Sequence, residues 1–333
     1  MRKMANKIMK ISFNDISLFP RWTLKKMAFV AILIAISVSF AIVVVQIMPL
    51  VIIPSFKISF ISLPIKITGF IFGPWTGLFV GLISDFLSIL FVPPVGYNFL
   101  YTVAAGINGF IPGVFSVYFM YFLKESFSPK YKVDKINHKI KLLGVKYQEA
   151  KLLGNLAKAH EYSLQIINYD QKRSQINKEQ NNSLLMNINL LVSIIILTLS
   201  LGIILSIINY SPQDIINRSF ITDKRILFIL MSFGSLSMML FVIFGRFKFK
   251  AHLYNTLLPI ISFSAILELA NLPILSYADL FSFGGSNKED VFIWLTQHIL
   301  LSPIKIWFNI FVVYFSYIII YRIINKNSAL SYK

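Results

Sequence analysis

Residues 27–48 read MAFVAILIAISVSFAIVVVQIM, 22 residues without a charge. About 20 apolar residues are enough to cross the hydrocarbon core of a bilayer. The run is too long for the apolar region of a secretory leader, and no small-residue cleavage site closes it. It therefore reads as a retained first transmembrane helix. The segment before it, Met1–Lys26, carries Arg2, Lys3, Lys7, Lys10, Arg21, Lys25 and Lys26 against one acid, Asp15. A basic flank of this kind marks the cytoplasmic end of a span.

Composition extends that reading to the whole chain. Of 333 residues, 56% are hydrophobic and 14% charged, with mean hydropathy +0.70; a soluble domain carries about 25% charged residues. One aqueous core cannot hide so much apolar surface, so the expected class is an all-α polytopic membrane protein rather than a cytosolic enzyme. The net charge of +18 points to cytoplasmic loops against anionic lipid rather than to nucleic acid. With no cysteine, disulfides, thiol nucleophiles and Cys-based metal sites are excluded.

Further apolar runs follow at Ile58–Phe72, Trp75–Val92 and Phe99–Leu123. Pro49, Pro54, Gly73-Pro74 and Pro93-Pro94-Val95-Gly96 separate them as turn signals. Lys124–Ser183 then turns polar, with twelve Lys and Arg against six Asp and Glu. Ile140, Leu142, Leu143, Tyr147, Leu152, Leu153 and Leu156 recur there at roughly helical spacing, which Gly144 and Gly154 weaken. Apolar runs resume at Leu184–Ile208, Ile226–Phe244, His252–Leu269 and Ile299–Tyr321, making eight candidate helices. Asn271–Gln297 reads as a polar loop.

An even number of spans with a cytoplasmic N-terminus puts the basic clusters inside: the N-terminus, the insert, Arg246–Lys250 and the tail with Arg322, Lys326 and Lys333. The outer segments are then Pro49–Lys57, Pro93–Asn98, Asn209–Lys224 and Asn271–Gln297.

No catalytic constellation emerges. His138, His160, His252 and His298 form neither HxxxH nor HExxH, and there is no GxxxxGK[ST] or GxGxxG. Neither a catalytic residue nor a metal site is assigned. Lys66, Asp85, Glu268 and Lys305 lie within apolar runs, where charges are costly and face an interior. Lys66 either pairs with Asp85 on the next helix or snorkels to the cytoplasmic face. Glu268, placed near the outer end of its run, is either solvated or meets a ligand. Ala31 and Ala35 share one face of the first helix, a small-residue patch that admits a second helix closely.

Several motifs occur together and in order: KMAFVAILIA at 26–35, PSFKISF at 54–60, Leu63-Pro64, GFIFGP at 69–74, Gly77, GLISDFL at 81–87, and Gly106 to Gly113 with INGFIPG between 107 and 113. Over roughly 100 residues this stretch resembles the S component, the substrate-binding subunit, of an energy-coupling-factor (ECF) vitamin transporter, and is most similar to the folate family. YNTL at 254–257 and Ile299–Tyr321 with Pro303 resemble the last two family helices more loosely. The resemblance implies a six-helix S-component bundle. Around it lie two additional transmembrane helices and a cytosolic helical insert: basic N-terminus 1–26, four core helices in 27–123, insert 124–183, extra helices in 184–250, last core helices in 251–325, and tail 326–333.

The resemblance also implies the activity. The chain captures a vitamin outside, is non-catalytic, and delivers it inward when docked on a T subunit with two ATPase subunits. Lipid bilayer and vitamin are its other partners, nucleic acid is not, and no intrinsic cofactor is implied. Ala31 and Ala35 match the T-subunit docking motif. Lys57 matches a position that is commonly Arg in the folate family. Lys57, Tyr97, Asn98, Asn255 and His298 are the candidate substrate-binding residues: Lys57 for a folate carboxylate, Tyr97 and Asn98 for a pteridine-like ring. Lys57 is otherwise a headgroup lysine, and Tyr97 otherwise a belt aromatic. Trp294, Gln297 and His298 stand where the folate family carries basic residues, which leaves another vitamin such as riboflavin as an alternative. A self-contained secondary transporter working through Asp85, Glu268 and Lys66 is the other alternative, and a lipid-acting membrane enzyme lacks the required nucleophile–base or metal set.

Overall fold

The computed structural model describes residues 24–47, 61–91, 98–127, 129–178, 183–211, 213–217, 221–282 and 291–325. Among them the regular structure is entirely helical. In chain order the helices are α1 (Leu24–Ile47), α2 (Leu63–Phe72), α3 (Pro74–Phe91), α4 (Phe99–Ser116, widening into a π-helix at Val117–Leu123), α5 (Lys124–Phe127), α6 (Pro129–Leu152), α7 (Leu156–Lys178), α8 (Ser183–Tyr210), α9 (Gln213–Ile216), α10 (Lys224–Lys248), α11 (Ala251–Ser282) and α12 (Val291–Asn325). Six stretches among these are long and apolar enough to cross a membrane, and α1 and α2 supply two shorter apolar segments. The chain is a multi-pass membrane protein.

The centre of the bundle is built by glycine. α2, α3 and α4 approach so closely that a Cβ on Gly69, Gly77 or Gly109 would collide with the backbone carbonyl facing it. Without the hydrophobic driving force available in water, such backbone approach supplies the van der Waals contact that holds membrane helices together. α4 also lies along α11, α11 along α12, and α12 returns to α2, while α1 rests on α2 and α3. The main apolar core runs through Phe70, Phe119, Leu258, Phe263, Ile310 and Tyr317.

α8 and α10 form a pair against α11 and α12. Polar bonds key the pair to the core. Ser262 Oγ donates to Ser193 Oγ at 3.0 Å, Trp307 Nε1 to Ser237 Oγ at 3.1 Å, and the Tyr254 hydroxyl to the Val242 carbonyl at 3.0 Å.

The polar insert is a helical hairpin. Gly144 does not interrupt α6; Gly154, at φ 69°, makes the turn into α7. Buried Ile136, Ala150 and Ala159, the Lys139 ammonium over the Tyr169 ring and the Arg173–Asn137 bond at 3.1 Å join its two arms. Beyond itself, its chief contact is with α5.

One expectation is corrected. The segment 271–282 is not an outer loop but the last three turns of α11, and α12 begins at Val291. Pro273 removes one backbone hydrogen bond, but burial of Leu272, Leu275, Ser276, Ala278, Asp279 and Leu280 holds the helix through it.

Candidate functional site

Four helices bring polar side chains to one place inside the bundle. α2 contributes Lys66, α4 Asn108, α11 Glu268 and Asn271, and α12 Lys305, with Ser62 and Ser264 at the margins. They enclose a cavity of about 20 Å³, the room needed for one water. Lys66 is 4% and Lys305 5% exposed. The Lys305 ammonium stands 3.3 Å from Glu268 Oε1, and Lys66 interacts electrostatically with both. Asn271 Nδ2 donates to Asn108 Oδ1 at 2.9 Å. Glu268 Oε1 and Asn271 Oδ1 are buried without an aligned hydrogen-bond donor.

Buried unsatisfied oxygens are uncommon and call for an explanation. Here they sit among two buried lysines and one carboxylate, with Lys305 Nζ 3.3 Å from Glu268 Oε1, so the cavity is lined by both acceptors and donors. A single water, which both donates and accepts, satisfies such an arrangement.

Lys66 thus follows neither sequence expectation. It pairs with no carboxylate on α3 and does not snorkel; it points into the bundle. The carboxylate of Asp85 instead accepts the Thr102 hydroxyl of α4 at 2.6 Å. Glu268 lies in the middle of the long α11 rather than near its end.

The residues expected to bind substrate do not all converge. Lys57 and Tyr97 lie outside the described residues. Asn98 caps α4, its Oδ1 accepting from the Leu100 amide at 2.9 Å. Asn255 lies in the first turns of α11, its Oδ1 accepting from Asn189 Nδ2 at 3.1 Å. It is 24 residues from Asp279 on the same helix, about 36 Å at 1.5 Å per residue. His298 is 1% exposed and its Nε2 is 2.8 Å from Asp279 Oδ2. The other Asp279 oxygen accepts the Tyr101 hydroxyl at 2.5 Å. Asp279 and Asn271 were missed because their segment read as a loop. The available signal was the run of apolar and small residues at 272, 275, 276 and 280, spaced for a buried helical face.

On α1, Ala28, Ala31, Ala35 and Ser39 are exposed together, while Val30, Leu33, Ser37, Val38 and Ala41 face the bundle. Among the described residues no helix covers the Ala31–Ala35 patch.

Residues 21–130 match the family model described as "ECF-type riboflavin transporter, S component". The match covers about a third of the chain, spans α1 to α5, and includes Lys66 and Asn108. It supports an ECF S component, a transport subunit rather than an enzyme. No curated protein and no solved structure matches the chain.

Proposed function

We propose that this protein is the substrate-binding S component of an ECF-type importer. In this reading it takes up a vitamin from the outer side and passes it inward when docked, through Ala31 and Ala35, on a T subunit driven by two ATPases. One observation carries the reading: the stretch that matches the S-component family supplies Lys66 and Asn108 to a buried polar cavity that α11 and α12 complete. The charge bias orients both termini to the cytoplasm, which puts the cavity in the outer half of the membrane.

Riboflavin is the vitamin that the family match favours. Its isoalloxazine edge offers both acceptors and an N–H donor, complementary to the lysines and to the orphan oxygens of Glu268 and Asn271. Folate is the second reading, favoured by the two buried ammonium groups against one carboxylate, since its anionic tail would balance them.

The test is titration of the purified chain with riboflavin, read by quenching of flavin fluorescence, and competition with folate. Riboflavin binding that weakens in Lys305→Met supports the reading. Displacement by folate alone moves the substrate to the second vitamin. Absence of both ligands' binding, with no small molecule co-purifying, would sink the proposal.

A further inference from the structure

Tyr101, Asp279 and His298 come from the three helices α4, α11 and α12, and they meet at one carboxylate. Each lies on the same side of the cavity along its own helix. Tyr101 is seven residues from Asn108, Asp279 eight from Asn271, and His298 seven from Lys305. At 1.5 Å per residue the cluster therefore sits about 10 Å from the cavity's polar groups. In the charge-derived orientation that displacement is outward. Three of the four helices lining the cavity are thus tied together between it and the outer surface.

The tie is strong for its size. Asp279 and His298 are each 1% exposed, and a carboxylate accepting two hydrogen bonds away from water makes both charge-assisted. Leu275, which lines the cavity, is one helical turn from Asp279, so the cluster lies next to the cavity along α11. A cavity of about 20 Å³ admits no vitamin, so the helices that line it must move apart for one to enter.

We propose that Tyr101, Asp279 and His298 form the latch that closes the binding cavity from the outer side, and that their hydrogen bonds break when a ligand enters or leaves. His298 thereby acts on access rather than as a ligand-binding group. The inference shares the cavity and orientation of the proposed function but does not depend on which vitamin binds.

The test uses the absence of native cysteine. Leu275→Cys is introduced into the full chain, reconstituted in vesicles, and exposed without any vitamin to sulfonatoethyl methanethiosulfonate, a membrane-impermeant thiol reagent, from one side at a time. Labelling from the outer side should be slow, and should accelerate about tenfold in Tyr101→Phe or Asp279→Asn, the effect of losing one hydrogen bond to a charged acceptor. Tyr101→Phe removes only a hydroxyl and serves if Asp279→Asn fails to fold. Ser193→Cys, buried between α8 and α11, is the control for general loosening and should keep its rate. An unchanged rate in Tyr101→Phe overturns the latch, as does equal acceleration at Ser193→Cys or labelling only from the inner side. Because no vitamin is used, failure of vitamin binding leaves this result standing.

Discussion

The Lys305 ammonium lies 3.3 Å from Glu268 Oε1 in the interior of a membrane bundle, and Lys66 interacts electrostatically with the same carboxylate. One anion thus serves two cations, and the three charges come from three helices. Their value to the fold is unequal, because removing the shared carboxylate leaves both lysines without it while removing Lys305 keeps the electrostatic interaction of Lys66 with Glu268.

Glu268→Gln should therefore destabilise more than Lys305→Met. Stranding a buried charge by deleting its partner costs about 3–5 kcal/mol, whereas Lys305→Met keeps the electrostatic attraction between Lys66 and Glu268. Thermal unfolding midpoints in detergent measure the difference. Equal midpoints for the two variants would contradict the shared-anion arrangement.

Ala31→Phe together with Ala35→Phe should abolish vitamin uptake in cells carrying the full importer while leaving ligand binding by the isolated chain unchanged. The exposed small-residue face of α1 makes no contact the bundle needs, so its loss acts on the partner alone. Uptake at the normal rate would remove the docking role.

Gly109→Ala and Gly144→Ala should differ in sign. A methyl at Gly109 meets the Gly77 carbonyl, and overpacking of this kind costs about 1–3 kcal/mol. At Gly144 a methyl meets nothing within 4 Å, so Ala adds helix propensity of up to about 1 kcal/mol to the hairpin. Unfolding of the whole chain reads the first effect, and proteolytic resistance of the hairpin the second.

Replacing residues 129–178 by a short flexible linker should leave the melting of the transmembrane bundle unchanged. The hairpin is stabilised by its own arms and touches the rest chiefly through α5. A lowered midpoint would show that the bundle relies on it.

The amino-acid sequence by itself determined the membrane class, most of the apolar helices, the polar insert and the small-residue face of α1. Each is a local sum: hydropathy over about 20 residues, a count of lysines, or two alanines one turn apart. It left undecided which polar groups meet. Lys66 had Asp85 as its nearest candidate in sequence and found Glu268, some two hundred residues away, because each residue turns a helix by about 100° and the pairing depends on how α2 is rotated against α11 and α12. The glycine contacts hold α2 close against α3 and α4. The run from 271 to 282 was misread for the same reason: its polar residues looked solvent-facing until the buried side of α11 showed that Asn271 and Asp279 point inward. Helix positions follow from composition, but the cavity exists only where four separate helices agree on their facing sides, and the Tyr101–Asp279–His298 cluster only where three do.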